Sequence, residues 1–318
     1  MYSPRSRPTT WRAGTLGPDA IGLALLIALT PLSPVLVTGR VVRIMGHDTV
    51  AVVSARVTLH RVTVQSPGPV DSLLSDAKGR FSFRIAPDSG VVYLVSARLG
   101  GIEYFAAPFA VHVEPPAPEV TVVVSDTSST APVQLVARHL IVSPPAPDGT
   151  RDVVDLFVLE NPGPMTRVSP GPLRSVWQAH LPRFAVNVRG GNSDFAADAV
   201  RFSEDQVALF AAIPPGQRDV EVDYQIPANS ARFEIPVDVS APISNIVSAD
   251  KELRVLGAFT RSDTVIDNKP YARWQGSMTA GVAVVLIAGA SGLPGWIIPA
   301  MVAGMAIVLV AVTVRTLR

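Results

Sequence analysis

Apolar and polar residues alternate in short runs through the middle of this chain, and unbroken apolar blocks replace the alternation at both ends. Ala55-Arg56-Val57-Thr58-Leu59-His60 repeats with period two, the pattern of a strand that buries one face. Val41, Val52 and Val53 add β-branched positions around it. Ser75-Asp76-Ala77-Lys78-Gly79-Arg80-Phe81-Ser82-Phe83 reads as a hairpin. Asp76 closes the turn through its carboxylate, Gly79 supplies a positive φ, and Phe81 and Phe83 fall on one face. Glu114-Pro115-Pro116-Ala117-Pro118 is a stiff linker, after which 119–124 resumes a strand. Short apolar runs then recur at 153–159, 184–188, 207–212, 220–226, 232–239 and 253–256. Asn161-Pro162-Gly163, Arg189-Gly190-Gly191-Asn192 and Pro214-Pro215-Gly216 punctuate them. This cadence predicts an all-β chain of two tandem sandwiches, residues 38–113 and 131–272, joined by 114–130.

The ends predict membrane segments on either side. Residues 1–19 form an arm with Arg5, Arg7 and Arg12 and no acidic residue before Asp19, and an apolar run fills 20–37. Basic residues ahead of such a run hold the N-terminus in the cytoplasm and send the downstream chain across the membrane. A cleaved signal peptide is the alternative to an anchor. No Ala-x-Ala site is present, Pro31 and Pro34 interrupt the region, and cleavage after Val37-Thr38-Gly39 would remove a glycine that the first sandwich needs, so an uncleaved anchor is expected.

From Trp274 to Val314 no residue is charged, about twice the roughly 20 residues that one span requires. Ser291-Gly292-Leu293-Pro294-Gly295 breaks the stretch near its middle, which predicts a helical hairpin with arms at 275–291 and 295–314. Gly281 with Gly289, and Ala300 with Gly304, share faces that would let the two helices approach closely. Tyr271, Arg273 and Trp274 fall at the entry interface and Trp296 at the opposite one. The hairpin leaves Arg315 and Arg318 outside, against the positive-inside tendency; the alternative is a single span at 296–314.

Composition narrows the function classes. A net charge of +1 and only 17% charged residues give no basis for a nucleic-acid partner. Twenty-nine prolines argue for short strands and loops, and the absence of cysteine excludes disulfides, thiolate catalysis and Cys-ligated metals.

One resemblance is carried by Gly39-x-Val41, Ala55-x-Val57-x-Leu59, and Ser75-Asp76 with Gly79-x-Phe81-x-Phe83. Residues 38–112 resemble the carboxypeptidase regulatory-like (transthyretin-like) domain, the pattern resting on Gly39, Val57, Asp76, Gly79, Phe81 and Phe83. The resemblance implies a seven-stranded Greek-key sandwich acting as an accessory or adhesion module. The peptidase that gives the family its name is missing here, and 62–74 is an insertion relative to the pattern. Residues 131–272 are similar to uncharacterised domains that accompany such modules in bacterial envelope proteins, an analogy that carries no activity.

No catalytic motif emerges. His47, His60, His112, His139 and His180 lack metal-ligand spacing, and neither Gly-x-Ser-x-Gly nor a Gly-Lys-Ser/Thr phosphate loop occurs. Asn192, Asp194, Asp198 and Asp205 depart from the EF-hand spacing and read as a solvated loop. Asp219, Glu221 and Asp223 alternate with Val220, Val222 and Tyr224 as the polar face of a half-buried strand. Trp177 reads as a core residue. The expectation is a non-enzymatic protein with no cofactor or metal, anchored in a bacterial inner membrane with its β-domains in the periplasm. Its expected partners are membrane lipid and other membrane-protein subunits, with no nucleic acid. An accessory scaffold subunit of a larger complex fits, whether of electron-transfer, photosynthetic, secretion or envelope machinery. The alternative is a free-standing surface receptor or adhesin that binds through its sandwich loops.

Overall fold

The computed structural model describes residues 33–288, apart from 46–47, 64–66, 89, 113–118, 204, 228–230 and 267. It is an all-β chain, and its two apolar cores divide it into two sandwich-like units. The first is built from β1 (Val35–Met45), β2 (Asp48–Ala51), β3 (Arg56–Val62), β4 (Gly68–Leu74), β5 (Arg80–Ile85), β6 (Val92–Leu99), β7 (Ile102–Phe105), β8 (Phe109–Ala110) and β9 (Glu119–Val124). β1 pairs antiparallel with β5 and then β2 along one edge, and parallel with β9 along the other. The facing sheet runs β4-β3-β6-β7, with β8 also on β6. Val37, Val41, Val57, Leu59, Phe81, Phe83, Val95 and Val122 fill the space between, each the inward member of its strand's alternation.

Two glycines in this unit are sterically required. At Gly39 a Cβ would stand 2.1 Å from the Val120 carbonyl oxygen and 2.4 Å from the Phe81 ring, so only glycine lets β1 lie between β9 and that ring. Gly79 has φ of 72° in the turn before β5, where Asp76 Oδ1 accepts from the backbone N–H groups of Lys78 and Arg80, both at 2.8 Å. Those bonds, the one from Arg80 foremost, outweigh desolvation and hold the Asp76 carboxyl below its ordinary pKa.

The second unit comprises β10 (Thr127–Ser128), β11 (Gln134–Val142), β12 (Thr150–Asn161), β13 (Thr166–Arg167), β14 (Trp177–His180), β15 (Val186–Gly190), β16 (Val200–Ser203), β17 (Gln206–Leu209), β18 (Gly216–Pro227), β19 (Arg232–Ile235), β20 (Ala241–Ser248), β21 (Arg254–Leu256), β22 (Phe259–Ile266), β23 (Lys269–Met278) and β24 (Val284–Ile287). Seven strands form one sheet in the order β15-β18-β12-β11-β20-β23-β22. Two three-stranded sheets, β14-β17-β16 and β19-β24-β21, share its core. Val220, Val222 and Tyr224 of β18 are buried there, while Asp219, Glu221 and Asp223 lie on the opposite face. Trp177 packs edge-on against Phe157, ring centroids 5.0 Å apart. The units are joined at Tyr104, whose hydroxyl donates to Ser125 O at 2.8 Å and lies 2.9 Å from Thr166 Oγ1.

The C-terminal hairpin expected from the sequence is corrected here. Residues 275–278 complete β23 and 284–287 form β24, so the described part of its first arm, 275–288, is two strands and their turn, and the second sandwich runs past 272 to Ala288. Trp274 is only 4% exposed, opposite Ile246 in the core, and is no interface anchor. Arg273 forks onto Asn245 Oδ1 at 2.8 and 2.6 Å, and Tyr271 sits half-buried on the same strand. Gly281 packs no helix: its φ of 76° turns the chain between β23 and β24, and its N–H donates to Val237 O. The physical reason is that a buried strand dispenses with charge as readily as a membrane span does. At the other end, Val35, Leu36 and Val37 belong to β1, so 20–37 is not wholly an anchor. Residues 20–32, Trp296, Gly289, Ala300 and Gly304 lie outside the described residues. Among the described residues no helix is long and apolar enough to cross a membrane.

Candidate ligand cleft

The two small sheets over the large one do not meet. β14 hydrogen-bonds within its sheet only to β17, and β19 only to β24, which leaves a free edge on each. A cleft of about 570 Å³ opens between them, within the range of small-molecule and peptide sites. One wall is the turn after β14, with His180, Arg183 and Phe184; the other is β19 itself.

The register of β19 decides what it offers. Ala288 N–H donates to Ala231 O, so the pairs 231/288, 233/286 and 235/284 exchange the ladder bonds. Arg232 and Glu234 therefore turn their backbone N–H and C=O groups into the cleft. Phe233 and Ile235 point into the core at 4% and 0% exposure, and the side chains of Arg232 and Glu234 stand outward, 3.1 Å apart.

The inner end of the cleft is pinned. Asp238 Oδ2 accepts from His180 N–H at 2.6 Å, and its Oδ1 lies 2.8 Å from His180 Nδ1. Partial burial pushes the Asp238 carboxyl up, but the bonds from His180 and the charges of His180 and Arg138 win, and its pKa is lowered. Beneath, Arg138 Nη1 donates to Pro236 O at 2.6 Å. That arginine is buried at 2% exposure and forks onto Asp155, Nε to Oδ1 at 2.9 Å and Nη2 to Oδ2 at 2.6 Å. Tyr224 Oη donates to the same Oδ2 at 3.3 Å, and the guanidinium lies 4.5 Å from the Phe157 ring centre. Desolvation opposes the charge on Arg138, yet the adjacent carboxylate outweighs it and raises its pKa. The cleft floor thus hangs on a buried ion pair.

Two charges in the cleft are left over. Arg232 pairs with Glu234 and His180 is hydrogen-bonded to Asp238, whereas the side chains of Arg183 and Asp205 have no hydrogen-bond or ion-pair partner among the described residues. Phe184 stands 68% exposed beside them. No hydroxyl lines the cleft among the described residues, so no serine, threonine or tyrosine stands beside the histidine–carboxylate pair for it to activate. The geometry suits recognition: an edge of backbone donors and acceptors, an aromatic face and one unpaired charge of each sign.

A second polar cluster lies on the outer face of the first sandwich. Ser96 Oγ donates to Glu103 Oε1 at 2.5 Å and lies 2.8 Å from His60 Nε2. In a nucleophilic triad the acid sits on the ring nitrogen away from the serine. Here Glu103 is on the serine side, 3.9 Å from Nε2, and the three residues tie β3, β6 and β7 together.

The residues singled out from sequence divide among several places. Gly39, Val57, Phe81 and Phe83 gather in the first core, with Asp76 and Gly79 at its hairpin turn. Asp194 Oδ2 accepts from Asp219 N–H at 2.9 Å and Glu221 Oε1 accepts from Asn192 N–H at 2.9 Å, which fastens that loop to β18. No group of three or more metal-ligating side chains occurs among the described residues. Sequence reasoning missed the cleft, because no local signal links His180 to Asp238, 58 positions further along the chain.

No family model and no curated protein matches the chain. Among solved structures it is similar to an M1 zinc metallopeptidase from Deinococcus radiodurans, at 12% identity and a TM-score of 0.29, over 49% of this chain and 42% of that one. A two-domain M1 zinc metallopeptidase bound to L-arginine gives 10% identity, a TM-score of 0.30 and the same coverage. A likeness at that level assigns no activity to this chain.

Proposed function

We propose that this protein is a non-catalytic, membrane-anchored recognition subunit whose β-sandwiches face the periplasm of a bacterial envelope. The observation that carries the reading is the path of the chain at the end of the second sandwich. β24, the middle strand of its sheet, ends at Ile287, and from Gly289 to Val314 the sequence holds no charged residue. That length suits one span of roughly 20 residues rather than two. A single span also places Arg315 and Arg318 on the same side of the membrane as Arg5, Arg7 and Arg12, in keeping with the positive-inside tendency. The first sandwich is read as a carboxypeptidase regulatory-like module, supported by the two facing sheets and by the required glycines at 39 and 79.

Recognition rather than catalysis is favoured by the use to which the charges are put. Arg138 with Asp155 is a buried structural pair and Arg151 with Asp250 a largely buried one, and the cleft offers a strand edge without a hydroxyl. In native membranes the full chain should resist alkaline carbonate extraction, and a chain cut back to residues 33–288 should be released. Mild-detergent solubilisation and native sizing should show the chain in an assembly well above its own 33.6 kDa plus detergent. Migration as a monomer would sink the subunit reading. It would leave the alternative of a free-standing receptor, which the open cleft also favours.

A further inference from the structure

We propose that the cleft between β14 and β19 is a β-strand acceptor site, in which an extended segment of a partner protein adds to the free edge of β19. This rests on reading the cleft as the recognition site, but not on the membrane anchor. Backbone edges left unpaired next to a cavity are templates for strand addition. Arg232 and Glu234 present such an edge, and the four residues of β19 are matched by a guest of about four residues at roughly 3.3 Å each.

The chemistry of the guest is set by its two faces. Residues on its inner face continue the layer of Phe233 and Ile235 and are apolar, with Phe184 available to cover them. Residues on its outer face meet the two unpaired charges, Arg183 and Asp205, so the guest carries one acidic and one basic side chain there. The His180–Asp238 pair closes one end of the cleft and limits the length of the guest.

The test uses the full chain in mild detergent and two fluorescein-labelled, end-blocked peptides, Val-Glu-Val-Lys-Val and Val-Lys-Val-Glu-Val, read by anisotropy. One residue order should bind saturably. N-methylating one alternate set of its amides should abolish binding, whereas N-methylating the other set should leave it largely intact, because only one edge of the guest faces β19. Glu234→Pro removes an N–H that the β24 ladder does not use, and proline is tolerated on an edge, so the fold should persist while binding falls at least about tenfold. Arg183→Ala, at an exposed position, should weaken binding by up to about fivefold. Absence of saturable binding for both peptides would overturn the proposal. So would binding that survives Glu234→Pro and both N-methylated sets. Self-association of the chain that Glu234→Pro abolishes, without any peptide binding, would assign the guest to a second copy and overturn the partner-protein reading. Carbonate extraction is unaffected by each of these results, so failure here is separable from failure of the anchor.

Discussion

Asp155→Asn removes one charge from the core while preserving the shape of the side chain. In the folded chain Arg138 would keep its bond to Pro236 O and its place over Phe157, but lose the carboxylate that forks onto it at 2.9 and 2.6 Å. Both partners are buried, at 2% and 0% exposure, so solvent cannot take over the neutralisation. Removing one member of such a pair costs about 3–5 kcal/mol, because an uncompensated charge stays behind in a dry site. For a unit of this size about 2–4 °C are lost per kcal/mol, so the midpoint should fall by roughly 6–20 °C. Tryptophan emission reports on the second sandwich and not the first, since Trp177 and Trp274 lie in the second, none occurs at 33–126, and the remaining two, Trp11 and Trp296, are replaced by Phe in the background used. The double change Arg138→Met with Asp155→Leu should recover most of the loss, as buried pairs exchanged for apolar groups of similar volume are often neutral. A loss under about 1 kcal/mol for Asp155→Asn would refute the reasoning, since only a hydrated pair behaves so.

Other parts of the fold give three more expected outcomes. Trp274→Ala should cost about 3–5 kcal/mol of second-unit stability in urea unfolding and leave membrane retention unchanged; the reverse result would return Trp274 to the membrane interface. Gly39→Ala forces a methyl group against the Val120 carbonyl and the Phe81 ring and should cost about 1–3 kcal/mol or more, seen by mass mapping as new proteolytic cuts within 33–126 but not within 127–288. Burial, aided by the Arg273 charge and opposed by Asp219, holds the His139 pKa below its ordinary 6.5. The unfolded chain then takes up that proton first as pH falls, so stability drops from about pH 6.5 down to the lowered folded value and no further. His139→Gln should flatten the urea midpoint as pH falls below about 6.5, and an unchanged slope would assign the dependence elsewhere.

The sandwich strands were legible where one face meets solvent and the other does not. Val57 with Leu59, Phe81 with Phe83, and the β18 alternation are buried by turns as their spacing requires. The strands that carry the chain from Trp274 to Ile287 obey the same rule. Ala272, Trp274 and Met278 are buried while Arg273, Gln275 and Ser277 lie between them, and Val284 and Leu286 repeat the period. What hid that period was the lack of charge: glutamine, serine and threonine serve as well on a sheet face as in a span, so hydropathy averaged over the stretch outweighed its periodicity. The cleft was illegible for a different reason. It exists only because two small sheets stop short of each other over a larger one, and the free edge of β19 is a property of pairing, which no single strand encodes.

The place of β24 in the sheet also changes what the cleft means. A membrane arm at 275–291 would have kept the recognition surface and the anchor in separate parts of the molecule. Instead, the strand that pairs with β19 is the one that leads into the uncharged run at 289–314. Strands in a sheet are spaced about 4.8 Å apart, so a guest on the free edge of β19 would lie only about 10 Å from β24. On the proposed reading, partner and membrane anchor share one three-stranded sheet. Load on a bound partner would then pass across the β19–β24 ladder, whose hydrogen bonds are strained together in shear, rather than through the junction at Tyr104 with the first sandwich.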